Sequence, residues 1–242
     1  MNSLTVGTRV QRARIAVRNL AQPALIPKRA LSRALEEVRY ERRLGTSTGG
    51  SHSLEELHLN PVDRVRYEPS SWRILRRILD PSEVDGSDVF LDLGSGKGRV
   101  VLQAAADYGF GKIIGVELAP ALHALAESNL AAAAPRLPRR NVRLVCADAA
   151  SFELPDDVTV VFMNNPFGGE VLRGALGQLL ASLDRRPRRV RLIYAHPEHK
   201  RELLATERFQ LVRRRRVVAP TQLRSTSLHL YETRSPRRAS SR

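Results

Sequence analysis

Residues 89–106, VFLDLGSGKGRVVLQAAA, combine a short apolar run, three closely spaced glycines and a helix-like continuation. The run contains Asp92, and the glycines follow at alternate positions, Gly94, Gly96 and Gly98. Glycine permits a backbone with positive φ and lets a ligand approach the main chain, and the start of the following helix offers free N–H groups. The stretch therefore predicts a strand, a tight turn and a helix. Cofactor-binding folds share this pattern with purely structural turns.

Three further apolar runs end in polar residues. Glu117 ends KIIGVEL, about 20 residues after the glycines, Asp148 ends VRLVCAD, and Asn164 follows VTVVFM. Ligands of open α/β sheets bind at the carboxyl ends of the strands. We therefore expect Asp92, Glu117, Asp148 and Asn164 to converge on one crevice, with Glu117 on a ribose. Alternatively, each residue caps the turn or helix that follows it.

Strands alternate with helices along the chain, which predicts the α/β class: a Rossmann-like, seven-stranded, mostly parallel sheet. The last two strands, FQLVRRRRVV and STSLHLYET, have no helix between them and should form an antiparallel edge. Residues 67–80 should begin as a turn and continue as a helix capped by Ser70 or Ser71.

Three parts of the chain are expected: a basic N-terminal extension (1–66), a cofactor domain (67–234) and a disordered basic tail (235–242). Within the extension, residues 30–43 show helical spacing, and residues 45–53, GTSTGGSHS, form a flexible loop, either a linker or a lid. The first 35 residues are rich in arginine, which fits a basic arm, a targeting peptide or a membrane-surface helix; we favour the basic arm.

The formal net charge is +15, and only 4 of the 40 basic residues are lysine. A pI near 11 favours anionic partners such as nucleic acid, which the basic chain ends could contact. The single cysteine, Cys146, should be a small core residue, and the histidines show no metal spacing. No apolar run approaches the ~18 residues of a membrane span, and we expect a cytoplasmic protein with no metal; its oligomeric state stays open.

Several of these motifs, DLGSGKGR, GVEL, the Asp148 strand end and NNPF, resemble those of class I methyltransferases that use S-adenosylmethionine. Within that class the chain is most similar to the non-SET histone-lysine methyltransferases of the disruptor-of-telomeric-silencing type. The likeness spans about residues 67–233 and includes YEPSSW, VVFMNNPFGGEV and STSLHLYET. In the substrate half the chain departs from that family, with Pro166 and Phe167 in a shorter loop and Leu228 where a late aromatic is expected.

The resemblance implies roles for the matching residues. Asp92 would lie near the amino-acid portion of the cofactor, Glu117 would accept from both ribose hydroxyls, and Asp148 would face the adenine amino group. Arg99 would bind cofactor or be a surface charge. The expected cofactor residues are Tyr67, Ser70, Ser71, Asp92, Gly94, Ser95, Gly96, Gly98, Arg99, Glu117, Leu118, Asp148, Ala149 and Asn164.

The residues expected to act on the acceptor are Asn164, Asn165, Phe167 and His196. An asparagine carbonyl can accept from an amine, an aromatic ring can hold the substrate, and a histidine can orient or deprotonate a nucleophile. In the alternative interpretation, Phe167 is a core residue after a strand-ending turn, and His196 is a turn residue before a proline.

The predicted function is methyl transfer from S-adenosylmethionine to a nitrogen, or less favourably an oxygen, of a protein side chain or small metabolite. The alternative is a basic nucleic-acid-binding module, or a nucleic-acid methyltransferase, on the same fold. A weaker alternative is a nicotinamide-dependent oxidoreductase, for which the sequence shows no hydride-transfer constellation.

Overall fold

The computed structural model describes residues 25–60, 62, 64, 66–138, 141–218 and 225–234. The side chains of 25–34, 217, 218, 225 and 226 lie outside the description. The basic arm before residue 25 and the tail after residue 234 fall outside it too, so their predictions are not addressed by the structure.

The chain forms seven strands and five α-helices in its described part. In chain order they are α1 (Leu25–Leu44), β1 (Val89–Leu93), α2 (Arg99–Asp107), β2 (Lys112–Glu117), α3 (Pro120–Ala133), β3 (Val142–Cys146), β4 (Val160–Met163), α4 (Gly169–Arg185), β5 (Arg191–Ala195), α5 (Lys200–Ala205), β6 (Phe209–Val218) and β7 (Ser225–Thr233). Short 3₁₀ turns cover Leu75–Arg77, Pro81–Glu83 and Ala134–Arg136.

The seven strands make one sheet with the order β3-β2-β1-β4-β5-β7-β6. Strands β1 to β5 are parallel to one another, while β7 is antiparallel to both β5 and β6. This confirms the predicted Rossmann-like, mostly parallel sheet with an antiparallel edge. The order in which strands are added to the sheet reverses between β1 and β4, because β2 and β3 lie on one side of this pair and β5 on the other. Ligands of such sheets bind in the crevice at this switch point.

The central strands are apolar on both faces, as helices on both sides of a parallel sheet require. All five side chains of β1 are buried, Asp92 included. One core cluster joins Phe90, Phe110 and Phe162 to the side of α2, and a second joins Leu91, Val161 and Leu192 to the side of α4. The buried Asp92 therefore needs a reason other than packing.

Two local predictions were wrong. Residues 67–80 form a turn followed by the single 3₁₀ turn Leu75–Arg77 rather than a helix, and the Ser71 hydroxyl accepts from the Arg73 N–H across that turn. Cys146 is exposed instead of buried, because β3 is the outermost strand of the sheet and several of its side chains face solvent.

Residues 45–53 are tied down by hydrogen bonds to the sheet domain. The Asn129 side chain bonds to both the N–H and the carbonyl of Ser47, at 2.8 and 3.2 Å. Thr48 is fully buried, and its N–H and hydroxyl both donate to Glu41 Oε1. The chain then pairs with Tyr67 in a bridge at His52. The segment is thus held against the glycine turn, and its function as a lid stays a prediction.

Arg99, at the first position of α2, links these pieces. Its guanidinium donates to Thr48 Oγ1 at 2.7 Å, to the Ser70 carbonyl at 2.9 Å and to Glu37 Oε1 at 2.5 Å, and it lies 5.3 Å from the Trp72 ring centre. The side chain is only 3% exposed, which rules out the surface-charge interpretation. Its partners are protein groups from α1, the 45–53 segment and the 67–72 turn.

We expect Arg99→Ala to lower the free energy of unfolding by about 3–5 kcal/mol, because removal of a buried cation leaves its partners unpaired. For a domain of this size, each kcal/mol corresponds to about 2–4 °C in melting temperature. Arg77→Ala, which removes an exposed arginine, is the matched control and should melt like the unchanged protein. Equal melting temperatures for the two variants would contradict the linking role.

Candidate active site

A pocket of about 250 Å³ opens at the carboxyl ends of β1, β2 and β4, and the ends of β3 and β5 line it as well. It contains most of the residues that the sequence singled out. Those lining it are Tyr67, Ser70, Asp92, Gly94, Ser95, Arg99, Glu117, Leu118, Asp148, Ala149, Asn164, Asn165, Phe167 and His196. Gly96, Gly98 and Ser71 do not line it; the Ser71 hydroxyl lies 3.5 Å from Glu36 Oε2 instead.

The glycine turn needs glycine mainly for its own packing. Gly94 and Gly96 have φ values of 79° and 55°, which side chains rarely adopt. A Cβ on Gly94 would lie 2.6 Å from Pro166 Cβ, and one on Gly96 would lie 2.2 Å from the Tyr67 ring. Pro166 and Tyr67 thus pack directly against the turn, which brings the loop after β4 and the segment before β1 onto the same side of the pocket.

Two buried carboxylates face the pocket. Asp92 is 2% exposed and has no hydrogen-bond or ion-pair partner among the residues that the structure describes. Burial, and secondly the charge of Glu117, raises its pKa well above the usual range. Such a charge is costly in an apolar site without a counter-ion. A cationic ligand would supply the counter-ion that the described protein does not.

Glu117 ends β2 and is held by backbone donors. Its Oε2 accepts from the Gly96 N–H at 2.7 Å and its Oε1 from the Ala119 N–H at 2.9 Å. Burial raises its pKa, and these two backbone bonds lower it in part. Each carboxylate oxygen keeps a further lone pair, so Glu117 can accept from a ligand hydroxyl without releasing the glycine turn.

The nearby cations do not neutralise these two carboxylates. Lys97 donates to the Gly49 carbonyl at 2.6 Å and lies 5.5 Å from the Tyr67 ring centre. Burial, followed by the nearby charge of Arg99, lowers the pKa of Lys97. Lys97 and Arg99 both donate to the 45–53 segment, so neither forms an ion pair with Asp92 or Glu117.

At the far edge of the pocket, Asp148 is already engaged. Its Oδ2 accepts from the Arg64 guanidinium at 2.8 Å, and its Oδ1 accepts from the Ala150 N–H at 2.9 Å. Arg64 also pairs through its backbone with Phe167. Arg64 therefore links the end of β3 to the loop after β4 at the pocket edge, and Leu57, Ala119 and Leu122 pack together in a small apolar cluster. No signal in the sequence pointed to Arg64.

The two asparagines after β4 face in different directions. The Asn164 Nδ2 group donates to Ser70 Oγ at 2.9 Å, while its Oδ1 is buried with no partner in the described part of the chain. Asn165 has a φ of 45° and accepts from the Tyr194 hydroxyl at 3.0 Å. Burial raises the pKa of Tyr194 to about 12, so its hydroxyl stays protonated and donates. Of the two asparagines, only Asn164 has a side-chain oxygen without a partner among the described residues.

The remaining acceptor-side candidates, Phe167 and His196, border the same space. Phe167 is buried in the core cluster on the α4 side and also lines the pocket. It is therefore a core residue whose ring also borders the space for an acceptor. His196 has a φ of 51°, and burial lowers its pKa, an effect that Glu198 and Glu68 partly offset. A neutral imidazole at the pocket wall can accept a proton. In the described residues no cluster of His, Cys, Asp and Glu could hold a metal ion.

The family model of the histone methylation protein DOT1 matches residues 61–222. The chain belongs to this family. That membership and the fold confirm the class I methyltransferase assignment made from the sequence motifs, with S-adenosylmethionine as its cofactor.

Individual relatives are similar over shorter stretches. A protein-lysine N-methyltransferase of Saccharolobus islandicus (strain REY15A) is 39% identical over 57 residues, which are 24% of this chain and 35% of the relative. The chain thus aligns with about a third of that relative's length.

Two solved structures show the same fold at low sequence identity. The B. subtilis M1A22 tRNA methyltransferase TrmK has a TM-score of 0.51 and 17% identity, and the match covers 63% of each chain. TrmN from Thermus thermophilus has a TM-score of 0.50 and 23% identity, over 66% of this chain and 46% of that one. At this level of identity, both show a shared fold alone.

Proposed function

We propose that the protein transfers a methyl group from S-adenosylmethionine to a nitrogen of a protein side chain or a small metabolite. One observation supports the proposal: two buried carboxylates, Asp92 and Glu117, line the same pocket as the Asn164 Oδ1, which has no partner among the described residues. S-adenosylmethionine supplies an activated methyl on a sulfonium, with a neutral leaving group. The protein then has to bind, orient and desolvate the two reactants.

The cofactor end fits a ligand that carries both positive charge and hydroxyl groups. Asp92 lacks a counter-ion among the described residues, and the ammonium of the cofactor's amino-acid portion would supply one. Glu117 has lone pairs left for two ribose hydroxyls. Leu118 and Ala149 line the pocket beside Glu117 and Asp148 and give an adenine ring an apolar surface.

The acceptor end fits an amine. Asn164 Oδ1 can accept an N–H and thereby direct the nitrogen lone pair toward the methyl group. The Ser70 hydroxyl fixes the orientation of the amide, because its oxygen accepts from Asn164 Nδ2. His196 is the candidate proton acceptor for the nitrogen. The relative's name, protein-lysine N-methyltransferase, supports a lysine side chain, and we favour nitrogen over oxygen for the same reasons.

The test uses the full chain. Calorimetric titration should show binding of S-adenosylmethionine and of its demethylated product, and no binding of a nicotinamide dinucleotide. Labelled methyl from the cofactor should then appear in the protein or small-molecule fraction of a cell lysate. Lack of affinity for S-adenosylmethionine would refute the proposal, and label in the nucleic-acid fraction would redirect the acceptor to nucleic acid.

The ion pair between Arg64 and Asp148 should limit the rate of cofactor entry, because the adenine amino group needs the Asp148 oxygen that Arg64 holds. We expect Arg64→Ala to raise the association rate constant about fivefold, which corresponds to a partly exposed ion pair worth ~1 kcal/mol. The rate is measured by stopped-flow mixing with S-adenosylmethionine. Arg189→Ala, which removes the pair of an exposed arginine with Glu232 outside the pocket, is the matched control; equal rates in both variants would show that no such barrier exists.

No helix in the described residues is long and apolar enough to cross a membrane. The cytoplasmic location, the three-part division of the chain and contact of the basic ends with nucleic acid stay predictions.

A further inference from the structure

Several arginines on the antiparallel side of the sheet have acidic partners. Arg189 pairs with Glu232, Arg208 with Asp184 and Arg213 with Glu83. By contrast, the exposed side chains of Arg214, Arg216 and Lys200 make no ion pair or hydrogen bond with described residues. We call these three residues the basic strip. Arg215 is excluded, because side chains alternate along a strand and Arg215 lies on the other face of β6, opposite Leu228.

Arg214 and Arg216 lie on β6, an edge strand, at the end of the sheet where the pocket opens. Arg214 is opposite His229 and Arg216 is opposite Ser227 in the β6–β7 register. The Ser227 carbonyl accepts from the His196 N–H at 3.0 Å, so Arg216, Ser227 and His196 form one row across the sheet. With strands 4.7–4.9 Å apart, the Arg216 backbone is about 10 Å from that of His196.

Lys200 belongs to the same surface although it lies on α5. Helix α5 packs against β6, and the charges of Arg214 and Lys200 both lower the pKa of His229, after the larger effect of burial. Arg214 and Arg216 share one face of β6, because they are two residues apart on a strand, and their Cα atoms are separated by about 6.8 Å.

We propose that the basic strip binds the phosphate backbone of a nucleic acid beside the mouth of the methyltransferase pocket. Guanidinium groups match phosphate oxygens in a bidentate geometry, and a nucleic acid presents charges at short, regular intervals that two arginines on one face of a strand can contact. This surface is distinct from the basic chain ends, and its role does not depend on the proposed acceptor.

The test compares full-length variants by fluorescence anisotropy, with a labelled single-stranded RNA and a labelled DNA duplex of the same length. Titrations are repeated at salt concentrations between about 50 and 200 mM. We expect Arg214→Gln with Arg216→Gln to weaken binding at least about tenfold. The salt dependence should fall by about 1.4 in slope for RNA and about 1.8 for the duplex, as for two lost phosphate contacts.

Arg143→Gln with Arg186→Gln is the matched control, because it removes the same charge from two exposed arginines outside the strip. Arg143 lies on β3, at the opposite edge of the sheet. The pair Lys200→Gln with Arg216→Gln should reproduce the loss with only one change on β6. The proposal is overturned if strip and control variants share one affinity and slope, or if the unchanged protein binds polyglutamate but neither nucleic acid. No cofactor is present, so failure here is separate from failure of methyl transfer.

Discussion

Replacement of Asp92 by asparagine should stabilise the free protein and weaken its binding of S-adenosylmethionine. The carboxylate is buried without a counter-ion among the described residues, so its loss relieves a desolvation cost that only a cationic ligand would offset. We expect the melting temperature to rise by about 2–4 °C for each kcal/mol relieved. The affinity for S-adenosylmethionine, measured by calorimetry, should fall about 100-fold, as for one lost charge-assisted contact.

The stability gain should depend on pH in a defined direction. Because folding raises the pKa of Asp92, the folded state holds this proton at a higher pH than the unfolded state does. The unchanged protein therefore recovers stability as the pH falls through the raised pKa. The difference in melting temperature between Asp92→Asn and the unchanged protein should be largest at about pH 8 and shrink toward about pH 5.

Asp107 provides a matched control, because its replacement by asparagine should change the melting temperature in the opposite direction. Its side chain is 5% exposed, but unlike Asp92 it pairs with Arg43 and Arg76 and accepts from the Tyr40 hydroxyl. Asp107→Asn should therefore lower the melting temperature and leave cofactor affinity unchanged. If Asp92→Asn behaved in the same way, Asp92 would be a structural residue and the cofactor assignment at the end of β1 would fail.

Asn164→Ala should lower the rate of methyl transfer about 100- to 1,000-fold, the range observed when one positioned polar group at a reacting centre is removed. The Asn164 Oδ1 is a buried pocket acceptor that lacks a partner among the described residues, so its loss should act on the chemical step. Cofactor affinity should fall far less than the rate, because the carboxylates of Asp92 and Glu117 remain. The measurement is the single-turnover transfer of labelled methyl into lysate protein at saturating cofactor.

Two variants sharpen this prediction. Asn141→Ala changes an asparagine at the start of β3, far from the pocket, whose side chain donates to the Gly111 carbonyl; it should keep full activity. Ser70→Ala removes the group that accepts from Asn164 Nδ2 and should cost less than Asn164→Ala, because it only loosens the orientation of the amide. Equal rates for Asn164→Ala and Asn141→Ala would refute the role of Asn164.

Local patterns were sufficient for the architecture of the sheet. Apolar runs, glycine spacing and alternation with helices predicted the parallel strands and the antiparallel pair, because these depend on period and on turn chemistry within a few residues. The helix α4 was not identified, although Leu172, Leu176, Leu179 and Leu183 are spaced for one buried face. The predicted helix at 67–80 was wrong: Trp72 and Leu75 are buried in the core, and the Leu75 N–H donates to Gln103 Oε1, 28 residues away, instead of to a carbonyl one helical turn earlier.

The sequence by itself determined which polar groups meet. Asp92, Glu117, Asp148 and Asn164 each follow a strand, and parallel strands bring their carboxyl ends to one edge. Only the tertiary structure decided which of these groups are already engaged. Arg99 turns away to α1 and the 45–53 segment, Arg64 reaches Asp148, and Asn164 keeps a free oxygen. Thr48 is 51 residues from Arg99 in the chain, and Arg64 is 84 residues from Asp148. A local pattern such as a helical period or a turn motif cannot connect residues that far apart in the sequence.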